Sequence, residues 1–232
     1  ANAPLVINEL MYNPSTGNQN LEYIELYNPS STPVDLSGWT FTSGINFTFP
    51  GGSVIPANSY ALVVKNDTAF RNHYGGGKLI LGQYSGNLSN EGETITLHRS
   101  NNSVASSFAY GTNGNWPSAA AGNGSSLALI RFAANGNMAA CWAPSPNGGT
   151  PGSVNTPDQS WVDTHGSGCV DGATTPEPSQ DGSLAQTGQQ TIGLMSLAAL
   201  LIAVAGLCAQ YTRRRHVFSL AVHKPSSRQL RR

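Results

Sequence analysis

Residues 21–41, LEYIELYNPSSTPVDLSGWTF, read as strand, turn, short strand, turn and strand, and this reading decides the fold class. LEYIELY is aromatic and β-branched, with Ile24 and Leu26 on one face of a two-residue alternation and Tyr23, Glu25 and Tyr27 on the other. That period predicts a half-buried strand. Asn28-Pro29-Ser30-Ser31 stops it at Tyr27, because proline fixes φ and removes a donor while Asn and Ser bond their own backbone. Val34 and Leu36 point inward around Asp35, Ser37-Gly38 reverses the chain, and Trp39 and Phe41 return to the core on alternate positions.

The same pattern extends outward. Residues 5–11 form a strand before this stretch. After it, Ile45, Phe47 and Phe49 alternate with Asn46 and Thr48 as a half-buried strand, closed by Pro50-Gly51-Gly52. Residues 60–64 are apolar on both faces and predict a central strand. Residues 67–74 predict one short helix, with Asn66 or Asp67 as N-cap and Gly75 at its end. Further strands are expected at 79–81, 94–98, 104–110 and 127–132, with Gly, Asn and Pro between them. This spacing favours an all-β sandwich over parallel βαβ units.

VINELMYNP (residues 6–14), EYIELYNPSSTPVDLSGWTF (22–41), FPGGSVIPANSYALVV (49–64), LSNEGETITL (88–97) and WPSAAAGNGSSLALI (116–130) stand in an order that resembles the lamin tail domain of bacterial surface and secreted proteins. Trp142, Thr150-Pro151-Gly152 and Asn155 fit the end of the same pattern, so the likeness covers residues 4–156. The resemblance implies an immunoglobulin-like β-sandwich with a binding or structural role, and no catalytic residue set. On it we place the domain at residues 1–157.

Toward and beyond the end of the domain the composition changes. Residues 144–158, PSPNGGTPGSVNTPD, carry no apolar period and predict extended loop. Trp161, Val162 and Cys169 are candidates to dock on the sandwich. Residues 172–190 are Thr, Pro, Ser, Gln and Gly with almost no apolar side chain, and the whole stretch 158–190 is expected as a disordered linker or stalk. Residues 191–211, TIGLMSLAALLIAVAGLCAQY, hold no charge, and about 20 apolar helical residues cross a bilayer. Arg213, Arg214 and Arg215 come directly after. Residues 1–190 hold five Lys and Arg against all 12 carboxylates, a net −7, whereas residues 191–232 carry +7. By the positive-inside rule the tail 212–232 is cytoplasmic and the acidic domain lies outside. The alternative for 191–211 is a buried core helix.

Leu184-Ala185-Gln186-Thr187-Gly188, the apolar span and the arginines resemble, in that order, a Gram-positive cell-wall sorting signal. The resemblance implies a sortase-like transpeptidase as partner, with Thr187 as acyl donor; Ala185 stands where proline is usual, and the tail after the arginines is long. The alternative is linker sequence before a permanent membrane anchor. Ala1-Asn2-Ala3 is consistent with the end left by signal-peptide cleavage.

Cys141 and Cys169 both fall outside the membrane in this topology and are expected to pair, with two free thiols as the alternative. No Cys or His spacing suggests zinc, and His73 and His98 have no triad partners in sequence. Glu9, Glu22 and Glu25 are candidate calcium ligands or acid–base groups if the first two strands pair, and Asp158, Asp163 and Asp171 are a second calcium candidate. No other cofactor is implied. The net charge of −7 over residues 1–190, with five cations there, argues against a nucleic-acid partner. Two functions are compatible with these residues: a non-catalytic surface module that binds an extracellular protein or envelope glycan, with Tyr84, Tyr110 and Trp116 as exposed anchors, or a surface enzyme of metal-assisted hydrolase type using those carboxylates.

Overall fold

The computed structural model describes residues 5–134 and 136–171. Strands β1 (Val6–Met11), β2 (Tyr23–Asn28), β3 (Val34–Asp35), β4 (Thr40–Ser43), β5 (Phe47–Thr48), β6 (Val54–Ile55) and β7 (Ser59–Val64) lead to helix α1 (Asp67–Tyr74). Strands β8 (Ile80–Gln83), β9 (Glu93–His98), β10 (Val104–Tyr110), β11 (Ser126–Leu129) and β12 (Trp142–Ser145) precede helix α2 (Gln159–His165). They form a six-stranded sheet in the order β12-β11-β1-β2-β7-β8 and a four-stranded sheet in the order β10-β9-β4-β5, with β3 and β6 paired at the side.

The two sheets bury one common core. Ile7, Leu10, Ile24, Leu26, Val63, Leu127 and Leu129 come from the larger sheet and Phe41, Phe47, Ile95, Leu97 and Phe108 from the smaller. The alternation read at Ile45, Phe47 and Phe49 holds, with each of the three buried and the residues between them exposed. Helix α1 begins as its sequence dictates: the Asn66 side chain accepts from the Ala69 N–H, and Gly75 closes the last turn on the Arg71 carbonyl.

Four expectations are corrected. Strand β2 is buried on both faces: Tyr23 and Glu25 are as inaccessible as Ile24 and Leu26. A second layer lies over the outer face of the larger sheet, where Phe70 and Tyr74 of α1 pack on Met11, Tyr23, Leu62 and Val64. The β7-α1-β8 connection is itself one parallel βαβ unit inside the otherwise antiparallel sandwich, because a helix plus its loops is long enough to return the chain in the same direction. The stretch 144–158 is not simply loop, since Pro144 and Ser145 belong to β12, and the strand expected at 127–132 is the shorter β11, Ser126–Leu129.

Beyond β12 the chain folds back as α2, capped by the Asp158 side chain on the Trp161 N–H. Trp161 donates its indole N–H to the Trp142 carbonyl at 3.2 Å. A disulfide joins Cys141 to Cys169 across 28 residues. A cross-link closing a loop of this size contributes about 3 kcal/mol, chiefly by limiting the unfolded chain. Reduction is therefore expected to lower the melting temperature by several degrees and to red-shift Trp161 fluorescence; an unchanged melt in reductant contradicts this. Among the described residues no helix is long and apolar enough to cross a membrane. The span 191–211, the motif at 184–188 and the basic tail lie outside the described residues.

Candidate functional site

The carboxylates singled out in the sequence separate into two places. Glu9 and Glu25 stand opposite each other in the β1–β2 register, both on the outer face and both fully buried. Glu22 precedes β2 by one residue, three positions from Glu25, and so turns toward the other face. Its Oε2 accepts from the Tyr84 hydroxyl at 2.9 Å and the Leu88 N–H at 3.0 Å, while its buried Oε1 has no hydrogen-bond partner among the described residues. Burial pushes the Glu22 carboxyl up to about 7 against these donors.

The Glu9–Glu25 pair is closed over by the segment after β12. Glu9 accepts from the Ser126 hydroxyl at 2.6 Å and from the Thr150 N–H at 2.9 Å. Glu25 accepts from the Gly152 N–H and, at 2.8 Å, from the Asn8 side-chain amide. Asn8 sits in the register shift between Ile7 and Glu9, which places its amide beside Glu25. Asn155 fastens the far end of the segment, donating to the Asn8 carbonyl at 3.0 Å and the Leu129 carbonyl at 2.9 Å. Burial raises the Glu9 carboxyl above its ordinary range despite the Ser126 and Thr150 donors. Burial, and then the charge of Glu9, push Glu25 up to about 8.

This arrangement does not fit the metal expected of Glu9, Glu22 and Glu25. N–H and O–H groups point at the Glu9 and Glu25 oxygens, where a cation would need free lone pairs, and Glu22 is turned away from them. The second candidate disperses as well: Asp158 caps α2, Asp163 accepts from Gln159 at 2.7 Å, and Asp171 pairs with Arg131 at 2.9 Å. Among the described residues no three His, Cys, Asp or Glu side chains gather so as to hold a metal ion.

The expected aromatic anchors are also corrected. Tyr84 and Tyr110 are only 4% exposed, because their hydroxyls find buried partners: Tyr84 on Glu22, and Tyr110 on the Ser89 carbonyl and Glu93. Trp116 is half-buried, its ring over Gly111. Exposed aromatic surface lies elsewhere, where Tyr27 stacks on Tyr60 at 4.6 Å with Phe132, 57% exposed, at 6.0 Å.

Next to the buried pair the surface opens into a groove of about 410 Å³. Met11, Leu21 and Tyr74 supply its apolar part; Ser15, Thr16, His73, Asn123 and Asn147 supply polar groups. Among the described residues no Asp, Glu, Lys or Arg lines it. One wall is Pro146, Asn147 and Gly148, the start of the segment that covers Glu9 and Glu25, and Tyr23 beneath it donates to the Gly148 carbonyl at 3.1 Å. The Gly148 N–H in turn reaches the Gly124 carbonyl on another wall at 2.7 Å. His73 packs edge-on against Tyr74 at 4.6 Å, and among the described residues it makes no hydrogen bond to a hydroxyl or carboxylate that would form a nucleophile and base. Sequence reasoning assigned no task to this groove; the run Asn147-Gly148-Gly149 before Thr150 was the available signal.

Residues 1–112 match the family model described as Lamin Tail Domain, which supports reading this part of the chain as such a domain. The family is one of non-enzymatic, immunoglobulin-like binding and structural domains. No curated protein matches the chain.

Proposed function

We propose that the sandwich is a non-catalytic recognition module displayed outside the cell envelope, and that it binds an uncharged, hydroxyl-rich ligand such as an envelope glycan in the groove beside Tyr74. The observation that carries this reading is the lining itself: an aromatic ring and apolar floor, amides and hydroxyls around it, and no formal charge among the described residues. Sugars present apolar CH faces to rings and hydroxyls to amides, so such a lining favours them over phosphates, acidic peptides or nucleic acid. Display is supported by sequence: the acidic domain is succeeded by an apolar span at 191–211 and by Arg213, Arg214 and Arg215. In this reading Leu184, Ala185, Gln186, Thr187 and Gly188 form the segment a sortase-like transpeptidase would cleave between Thr187 and Gly188, leaving the domain on the wall.

Binding of the full chain to isolated cell-wall glycan tests the site. Ser15→Trp fills the exposed lip of the groove and is expected to cut retention at least tenfold with an unchanged melting temperature. Retention equal to that of the unaltered protein overturns the groove as the site. Protease added to intact cells is expected to remove the domain, and a domain protected inside the cell overturns the topology.

A further inference from the structure

The groove shares a wall with a buried pair of acids, and the two are mechanically one object. Residues 146–148 line the groove, and Thr150 and Gly152, two and four positions after Gly148, hold Glu9 and Glu25. Gly149 between them leaves no room for a side chain over Tyr23, Glu9 and Ser126. The segment therefore cannot lift from the groove without uncovering the carboxyls, nor can water reach the carboxyls while it is down.

From this geometry we propose that Glu9 and Glu25 form a proton-controlled latch on the groove wall: with a proton held by the pair, residues 146–152 stay clamped to the sheet, and loss of that proton lets the segment lift and reshapes the groove. The ligand-binding consequence rests on the reading of the groove given above; the latch itself does not.

The groups around the pair leave it little compensation. From β1 and β2 come Glu9, Glu25, the neutral amide of Asn8 and the Tyr23 hydroxyl; from β7, Tyr60; from β11, the Ser126 hydroxyl; from α1, Tyr74. All three tyrosines are themselves pushed upward by burial, so they stay neutral. A neighbouring cation, Lys78, lies along Gly152 but donates its ammonium to the Tyr74 carbonyl at 2.5 Å. Two carboxyls on facing strand positions, with no cation among the described residues bonded to either, cannot both be charged cheaply in the closed state. Lifting the segment hydrates them and returns both toward ordinary carboxylate behaviour. Each pH unit between the open and closed titration ranges then multiplies the open-to-closed ratio by about ten for one carboxyl.

Hydrogen exchange of the Thr150 and Gly152 amides in the ligand-free full chain, corrected for base catalysis with Leu26 and Val63 as core references, tests the latch. The expected result is protection at Thr150 and Gly152 that falls about tenfold per unit from pH 5.5 to 7.5, by a route faster than exchange at the core references, and that falls markedly less steeply in Glu25→Gln, where Glu9 is the one carboxyl of the pair left. Constant protection in the unaltered protein overturns the latch. So does an undiminished pH dependence in Glu25→Gln, or loss of protection only together with Leu26 and Val63. Because no ligand is present, failure here leaves glycan binding standing, and failure of glycan binding leaves the latch.

Discussion

Gly149→Ala is expected to destabilise the domain by roughly 3–5 kcal/mol, enough to threaten folding of a domain whose total stability is of ordinary size. Gly149 has φ +89°, where an L side chain is strained, and a Cβ there stands closer than 3.0 Å to the Tyr23 hydroxyl, Glu9 Oε1 and Ser126 Oγ together. None of the three can step aside. The Tyr23 ring is held edge-on by Phe70 at 5.7 Å and Tyr74 at 5.4 Å, and Ser126 and Glu9 are bonded to each other at 2.6 Å. The new methyl therefore either breaks buried hydrogen bonds or lifts the Thr150 turn off the sheet, and each lost bond to a buried carboxylate costs about 1.5–3 kcal/mol. Gly152→Ala is the comparison. Its backbone is similar, φ +81°, but the nearest atom to its Cβ is Lys78 Cγ at 3.0 Å, a contact relieved by a shift of a few tenths of an ångström, with no atom closer than that. Denaturant melts should rank the two substitutions with Gly149→Ala far the worse; equal effects would show that backbone strain alone matters and that the close approach to Glu9 does not.

Much of the sandwich was legible because its signals are local. The alternation at Ile45, Phe47 and Phe49, the Asn66 cap and Gly75 stop of α1, and the both-sided apolar run of β7 each arise from neighbours within a few residues. What failed depends on distant partners. An alternation of Tyr23, Glu25 and Tyr27 ordinarily marks a wet face; here it is covered by a segment about 125 residues downstream, whose N–H groups satisfy a carboxylate that water would otherwise solvate. Tyr84 and Tyr110 lie among Gly and Asn, as surface residues do, and are drawn inward by Glu22 and Glu93, which the local sequence does not announce. The grouping of Glu9, Glu22 and Glu25 as one metal site was avoidable from the sequence: residues three apart on a strand point to opposite faces, so Glu22 and Glu25 could not converge. The candidate groove could not be foreseen, since its walls come from four separate stretches of chain.

Stability is expected to fall steadily as pH rises from about 5 to about 8, the reverse of the usual behaviour of proteins whose carboxylates are ion-paired. In the folded state Glu22 titrates near 7 and Glu25 near 8, and Glu9 is also raised, each principally through burial; the ordinary value is 4.5. A group whose folded value lies above its unfolded value binds more protons when folded, so its favourable contribution is complete below pH 4.5 and is lost as pH climbs through the folded value. The window runs from 4.5 to about 7 for Glu22 and from 4.5 to about 8 for Glu25. Within it each carboxyl removes up to about 1.4 kcal/mol per pH unit. Denaturant unfolding at intervals between pH 4.5 and 8.5 measures the slope directly. Glu22→Gln should make the curve shallower up to about pH 7 and Glu25→Gln up to about pH 8, each removing only that carboxyl's share of the slope, because neither amide titrates. A stability that instead rises across this range would mean that the three glutamates are charged and compensated in the folded protein, and the closed, proton-holding interior described for them would be wrong.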